Sequence, residues 1–226
     1  MKKSFILSLL LSVSGVGSMF FVAAFTKQRE SLLNNFFYQG IMFFISMMVI
    51  GILFFVKRKF QYLNIGDLNT TTKPIKLLDI KNTDNWKDVG VRFLIIITVV
   101  TSLFIFLGNQ NLLFSIGINK LIIAFFFSIP LSALNAFNEE TLTRWTLVEG
   151  GDFLKDKNII PILSAFIFGI PHYFGVPGGV VGALMAGFMG WFLARSIQET
   201  KGIGLAVLIH FFQDVVIFTS LLVGLV

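Results

Sequence analysis

Long apolar runs recur along the 226 residues and are separated by short polar segments. A helix satisfies its own backbone hydrogen bonds in lipid, and ~20 apolar residues are enough to cross a bilayer. A transmembrane barrel would need short segments of alternating polarity, which these runs do not show. The chain is therefore predicted to be all-α, a polytopic transmembrane helical bundle of about seven spans.

Composition supports this class and excludes several others. Hydrophobic residues make up 55% of the chain, with 28 Phe, against 13% charged residues, which is unlike an ordinary soluble domain. The absence of Cys excludes disulfides, thiolate catalysis and Cys-ligated metals. The net charge of +6 is concentrated between the apolar runs, so we interpret it as a sign of membrane topology and expect no nucleic-acid partner.

The predicted spans run over 5–25, 36–56, 91–107, 112 or 118 to 148, 159–174, 180–194 and 202–226. Pro130 is expected to kink the fourth span, and a polar turn is expected at 108–111. The first run follows Met1-Lys2-Lys3 and also permits a cleaved signal peptide ending at Val22-Ala23-Ala24. Because the run is long for a signal sequence, an uncleaved first span is the favoured interpretation.

We predict one membrane domain over 1–226, with N-terminal spans in 1–110 and catalytic core helices in 111–226. A basic loop at 57–92 carries eight of the 18 Lys and Arg residues, and part of this loop is expected to lie along the headgroups. Fifteen Lys and Arg fall on the side of this loop, and three on the other: Lys27, Arg29 and Lys120. The positive-inside rule then predicts a cell-membrane protein with a cytoplasmic N-terminus and an outward C-terminus.

An acidic pair, Glu139 and Glu140, stands at the end of an apolar run together with Arg144. Charged groups within a membrane are costly and mark functional sites. On a helix Glu140 and Arg144 lie four residues apart on one face and can pair, whereas Glu139 points about 100° away. Glu139 is therefore predicted to remain free for chemistry.

The two histidines of the chain, His172 and His210, both lie within apolar runs. His172 follows Pro171, and His210 has Asp214 four residues further on, on the same helical face. A single buried histidine is usually a packing residue. Because both histidines are in predicted spans, and one is paired with a carboxylate, we predict a shared polar site.

The order E-E-x-x-x-R, F-x-x-x-H and H-x-x-x-[N/D], each on a separate predicted helix, resembles the CPBP family of intramembrane proteases. This family, also called Abi, includes type II CAAX prenyl endopeptidases and bacteriocin-immunity relatives. The resemblance implies that Glu139 is the catalytic carboxylate, that Glu140 and Arg144 support it, and that His172 helps to bind the attacking water. His210 and Asp214 would complete the site.

Asp214 departs from relatives that carry Asn at this position. Asn can donate a hydrogen bond to an oxyanion, whereas an ionised Asp cannot. Asp214 is therefore expected either to orient His210 or to ligate a metal. Two histidines with carboxylates suit Zn²⁺, and the candidate ligands are Glu139, His172, His210 and Asp214. The His-Glu-x-x-His pattern of zincins is absent, so a metal-dependent and a glutamate-dependent reaction both stay open.

Three function classes follow from these residues. The favoured class is an endopeptidase that cuts a membrane-associated or lipidated peptide or protein near the cytoplasmic leaflet. The second is a non-catalytic bacteriocin-immunity or scaffold protein of the same fold. The third is a proton-coupled transporter, since proton relays also use intramembrane Glu, His and Asp.

Overall fold

The computed structural model describes residues 2–108, 116–175 and 178–225, and over this part the chain forms an all-α polytopic bundle. Its α-helices are α1 (Lys2–Thr26), α2 (Leu32–Lys57), α3 (Trp86–Gly108), α4 (Ile118–Glu140), α5 (Thr146–Gly150), α6 (Ile159–Gly169), α7 (Gly179–Thr200) and α8 (Gly204–Leu222). A π-helical turn, Thr141–Trp145, joins α4 to α5, so the two helices continue one span. The class predicted from the apolar runs is confirmed.

Six of the described helical spans are long and apolar enough to cross a membrane, and the segment predicted as the fifth span is shorter. There α6 ends at Gly169, and a 3₁₀ turn covers Pro171–Phe174. Proline has no N–H to donate to a helical carbonyl, which explains why the α-helical hydrogen bonding stops before Pro171. Pro130 lies inside α4. Most of the polar turn predicted at 108–111 lies outside the described residues.

The two ends of the bundle differ in charge. The basic end comprises the start of α1, the segment 58–85, and the connections 151–158 and 201–203. The Lys27 end comprises the α1–α2 connection at 27–31, the region around Gly175 and Gly178, and the end of α8. The long helices run between these ends, so every side chain in them has a depth that can be counted from either end.

Glu149 holds the basic end together. Its buried carboxylate pairs with Lys57 at 2.6 Å and accepts the backbone N–H groups of Gln61 and Tyr62. The Tyr62 hydroxyl donates to Asp152 at 2.6 Å. Burial, reinforced by this hydrogen bond, raises the pKa of Tyr62. The segment that follows α2 is thereby fixed to the end of α5.

The segment 58–85 packs against the α7–α8 connection. Gly66 has a φ of 87°, and a Cβ added to Gly202 would lie 2.1 Å from the Gly66 nitrogen, so the two backbones approach as only glycines permit. Trp86 is 1% exposed, and its indole donates to Glu199 at 3.0 Å. Leu77 is 93% exposed and is the residue of this segment best placed to reach the headgroups.

Small residues let α6 lie directly on α7. A Cβ added to Gly169 would lie 2.9 Å from the Gly187 Cα, and one added to Gly190 would lie 2.7 Å from the Ser164 carbonyl oxygen. Such close contact between membrane helices depends on residues without bulky side chains. The contact matters for function because His172 follows α6.

Candidate active site

Glu140 is at the centre of a buried cluster that joins α4 to α8. Its Oε1 accepts hydrogen bonds from Arg144 Nη1 and, at 2.7 Å, from His210 Nδ1. Glu140 and Arg144 are both fully buried. The pairing predicted from their four-residue spacing is present, although the π-helical turn begins between them. Such turns are rare and occur frequently at functional sites.

Phe168 packs against the other side of the same cluster. The Arg144 guanidinium carbon lies 3.9 Å from the centre of the Phe168 ring, which is a close cation–π contact. The Phe168 ring also contacts the rings of His172, at 4.3 Å, and His210, at 5.7 Å. The aromatic residue of the F-x-x-x-H motif therefore contacts the Arg144 guanidinium and both imidazoles.

Glu139 points away from this ion pair, as its position on the helix predicted. Its side chain is 15% exposed, against 0% for Glu140. Its Oε2 lies 3.5 Å from His210 Nε2. It lines a cavity of about 250 Å³ that His172, His210 and Asp214 also line. The structure thus brings these four residues of the predicted site to one cavity.

His172 lies on the 3₁₀ turn beyond α6. Its Nδ1 lies 2.7 Å from the carbonyl oxygen of Phe168, so Nδ1 carries the donated proton and Nε2 is left as an acceptor. Counted from the basic end, His172 lies deeper than Glu139 and His210. The cavity lies near the Lys27 end, and His172 is only three residues from Gly175 at that end. His172 therefore lines the same cavity as Glu139 and His210 despite its greater depth from the basic end.

Asp214 does not orient His210 in the way that the sequence suggested. Glu140 accepts the Nδ1 hydrogen bond of His210, and Asp214 Oδ2 lies 3.5 Å from Nε2 on the other edge of the ring. Asp214 instead accepts a hydrogen bond from Asn135 Nδ2 at 2.9 Å. His210 Nε2 therefore faces two carboxylates, Glu139 and Asp214, at the same distance.

A chain of amides that we did not predict supports Asp214. Asn135 Oδ1 accepts from Gln39 at 2.7 Å, and Asn138 donates to Gln39 Oε1 at 3.1 Å. Ser46 in turn donates to Asn138 Oδ1 at 3.1 Å. The signal in the sequence was the presence of amides in apolar runs, with Asn135 and Asn138 three residues apart. Their partners could not be chosen because they lie 79 to 99 residues away.

The side chains as placed do not form a metal site. Across the described ranges, no group of three or more His, Cys, Asp or Glu has the arrangement needed to hold a metal ion. Zinc sites need donors about 2.0–2.2 Å from the ion, and His172, whose Nδ1 donates to a carbonyl, has only Nε2 to offer as a ligand.

A larger groove of about 590 Å³ adjoins the cavity and shares with it Tyr38, Glu139, Phe168 and His172. Along α1 it is lined by Val16, Met19, Phe20 and Ala23. Phe20 is 50% exposed and Phe174, on its other wall, is 72% exposed. The groove therefore leads from the lipid-facing surface between α1 and the 3₁₀ turn to Glu139.

Residues 120–216 match the profile of the Rce1-like family, described as type II CAAX prenyl endopeptidase Rce1-like. No curated protein and no solved structure matches the chain significantly. The matched range begins in α4 and ends in α8, and it contains Glu139, Glu140, Arg144, His172, His210 and Asp214. The match of residues 120–216 to the Rce1-like profile is consistent with the CPBP family.

Proposed function

We propose that the protein is a glutamate-dependent intramembrane endopeptidase that cuts a membrane-associated or lipidated polypeptide. The observation that carries the proposal is the position of Glu139: it is an acidic side chain of a membrane span, it opens on a cavity, and among the described residues its only ion-pair contact is with an imidazole. The Rce1-like match over 120–216 supports a protease.

Glu139 acts as general base and then as general acid. It takes a proton from a water molecule in the cavity while the water oxygen adds to the scissile carbonyl carbon. It then passes this proton to the leaving nitrogen as the carbon–nitrogen bond breaks.

The imidazoles position the water and stabilise the negative charge that develops on the scissile carbonyl oxygen. His172 Nε2 is free to accept a hydrogen bond from the water, since Nδ1 is bonded to Phe168. His210 is held by Glu140 through Nδ1, so Nε2, when protonated, donates to the oxyanion. Glu140 and Arg144 act as positioning residues because they contact His210 and Phe168 rather than the cavity.

The groove suits a substrate that is anchored in the bilayer. Its walls are mainly apolar and its mouth carries exposed Phe20 and Phe174, so an apolar or lipidated segment can enter from the lipid. The bacteriocin-immunity alternative has no support from the family match. A transporter of the same fold would carry its substrate without cutting it, and the experiment below separates the two.

The test compares the membrane peptidomes of cells that express the wild-type protein or Glu139→Gln. Gln is nearly isosteric but cannot act as a base, so fragments produced by the wild type should disappear in this variant. Asp156→Asn is the matched control, because Asp156 is an exposed carboxylate at the basic end and lines neither the cavity nor the groove. Fragments that persist in Glu139→Gln at wild-type abundance would rule out the proposed reaction.

A further inference from the structure

The candidate active site is reached from the Lys27 end of the bundle. The cavity is lined by Gln28, Arg29, Asn35 and Tyr38 from the α1–α2 region, and by Leu225 beyond α8. Arg29 and Leu225 are exposed, and Gln28 is half-buried. Gln28 and Arg29 line the adjoining groove as well. The rim of the site is thus made of residues from this end.

The basic end is closed towards the site. All ten residues of Thr141–Gly150, which continue α4 from Glu140 towards the basic end, are buried. Leu142, Trp145 and Leu147 are each 0% exposed. Beyond them Glu149 is fixed to Lys57 and to the backbone of Tyr62. A substrate that came from the basic end would have to pass through this packed layer.

Charge separates the same two ends. Of the 18 Lys and Arg residues, only Lys27, Arg29 and Lys120 belong to the Lys27 end. Arg144 is buried inside the site, and the other fourteen belong to the basic end. Cytoplasmic segments carry the excess of Lys and Arg in membrane proteins. By this rule the basic end faces the cytoplasm, and the mouth of the site faces away from it.

From these two observations we infer that the substrate is a polypeptide segment on the non-cytoplasmic side of the membrane, either an exported peptide or the outward part of a membrane-anchored protein. That a polypeptide is cut at this site rests on the proposed function. The side from which it reaches the site rests on the position of the cavity and on the distribution of charge. The inferred side of access revises the sequence-based prediction of cleavage near the cytoplasmic leaflet.

Single-cysteine labelling tests the side of access, and the chain has no Cys of its own to interfere. Gln28→Cys places a thiol on the rim, and Lys155→Cys places one on the exposed surface of the basic end. Spheroplasts that express each variant are treated with a membrane-impermeant maleimide before and after permeabilisation. We expect Gln28→Cys to be labelled equally in both conditions, and Lys155→Cys only after permeabilisation.

A third variant, Glu139→Cys, reports on the reactive position itself. A small impermeant thiosulfonate should modify it in sealed spheroplasts, and prior labelling of Gln28→Cys in the double variant should slow that modification. Labelling of Gln28→Cys only after permeabilisation, or in neither condition, overturns the inference. Because labelling requires no catalysis, a failed labelling test would overturn the side of access and leave the peptidase proposal intact. Conversely, an unchanged peptidome in Glu139→Gln would overturn the peptidase proposal and leave the labelling result intact.

Discussion

Nδ1 of His210 lies 2.7 Å from Oε1 of Glu140, the same oxygen that accepts from Arg144. One carboxylate oxygen thus binds two cationic or donor groups from different parts of the chain. This contact turns Nε2 of His210 towards Glu139, 3.5 Å away. The adjacent glutamates consequently have different roles: Glu140 holds the site together, and Glu139 faces the cavity.

The two glutamates should therefore respond differently to the same change to Gln: stability should fall at position 140, and cleavage should fall at position 139. Glu140→Gln leaves Arg144 buried without its charge partner, and breaking a buried ion pair typically costs about 3–5 kcal/mol. Glu139→Gln removes no such pair, so its free energy of unfolding should stay near that of the wild type. Its cleavage rate should fall by ~10²–10⁴, the usual contribution of a general base.

Thermal unfolding in detergent and cleavage of a membrane-anchored reporter peptide measure the two effects. Equal stability of Glu140→Gln and Glu139→Gln would contradict the structural role given to Glu140. Retained cleavage by Glu139→Gln would contradict the chemical role given to Glu139.

Asn135 is predicted to act by positioning Asp214. Asn135→Ala leaves buried polar groups of Asp214 and Gln39 without a partner, which costs about 1–3 kcal/mol. It should lower kcat more than it raises KM and shift the pH profile, because the carboxylate near His210 Nε2 loses its donor. Thr219→Val is the control: Thr219 donates to Ser128 at 3.0 Å between the same two helices. If the control shifts the pH profile as much, Asn135 has no specific role.

Gly190→Ala is predicted to disturb the site from a distance. The added methyl would lie 2.7 Å from the Ser164 carbonyl oxygen and 3.1 Å from the Ala165 Cα, so α6 must move and His172 with it. Overpacking of this kind costs about 1–3 kcal/mol. Gly51→Ala is the matched control, because a Cβ at Gly51 meets nothing within 4 Å. The midpoint of thermal unfolding should fall for Gly190→Ala only.

Metal removal is predicted to leave the reaction intact. Since the described side chains have no arrangement for a metal ion, dialysis against a strong chelator should not lower the cleavage rate. Purified protein should contain well under one equivalent of zinc by elemental analysis. Loss of cleavage on chelation, with recovery on adding Zn²⁺ but not Mg²⁺, would show instead that Glu139, His210 and Asp214 rearrange around a metal.

Local spacing was enough to anticipate part of the site. A four-residue separation on a helix places Glu140 beside Arg144, and the 100° step per residue turns Glu139 away from them. These relationships depend only on helix geometry. The partners of Asp214 could not be anticipated in this way, because Asn135 and Gln39 belong to other helices, and the direction of a side chain across a helix interface depends on how the helices pack.

The sequence by itself determined that this chain is an all-α membrane bundle, because apolar runs of that length satisfy their backbone only as helices in lipid. It also determined which few polar residues the bundle must accommodate. Only the tertiary structure decided that Glu140, rather than Asp214, accepts the His210 Nδ1 hydrogen bond, and that the cavity opens at the Lys27 end. Both depend on the relative rotation and depth of helices far apart in the chain, which are set by close packing at residues such as Gly169, Gly187 and Gly190.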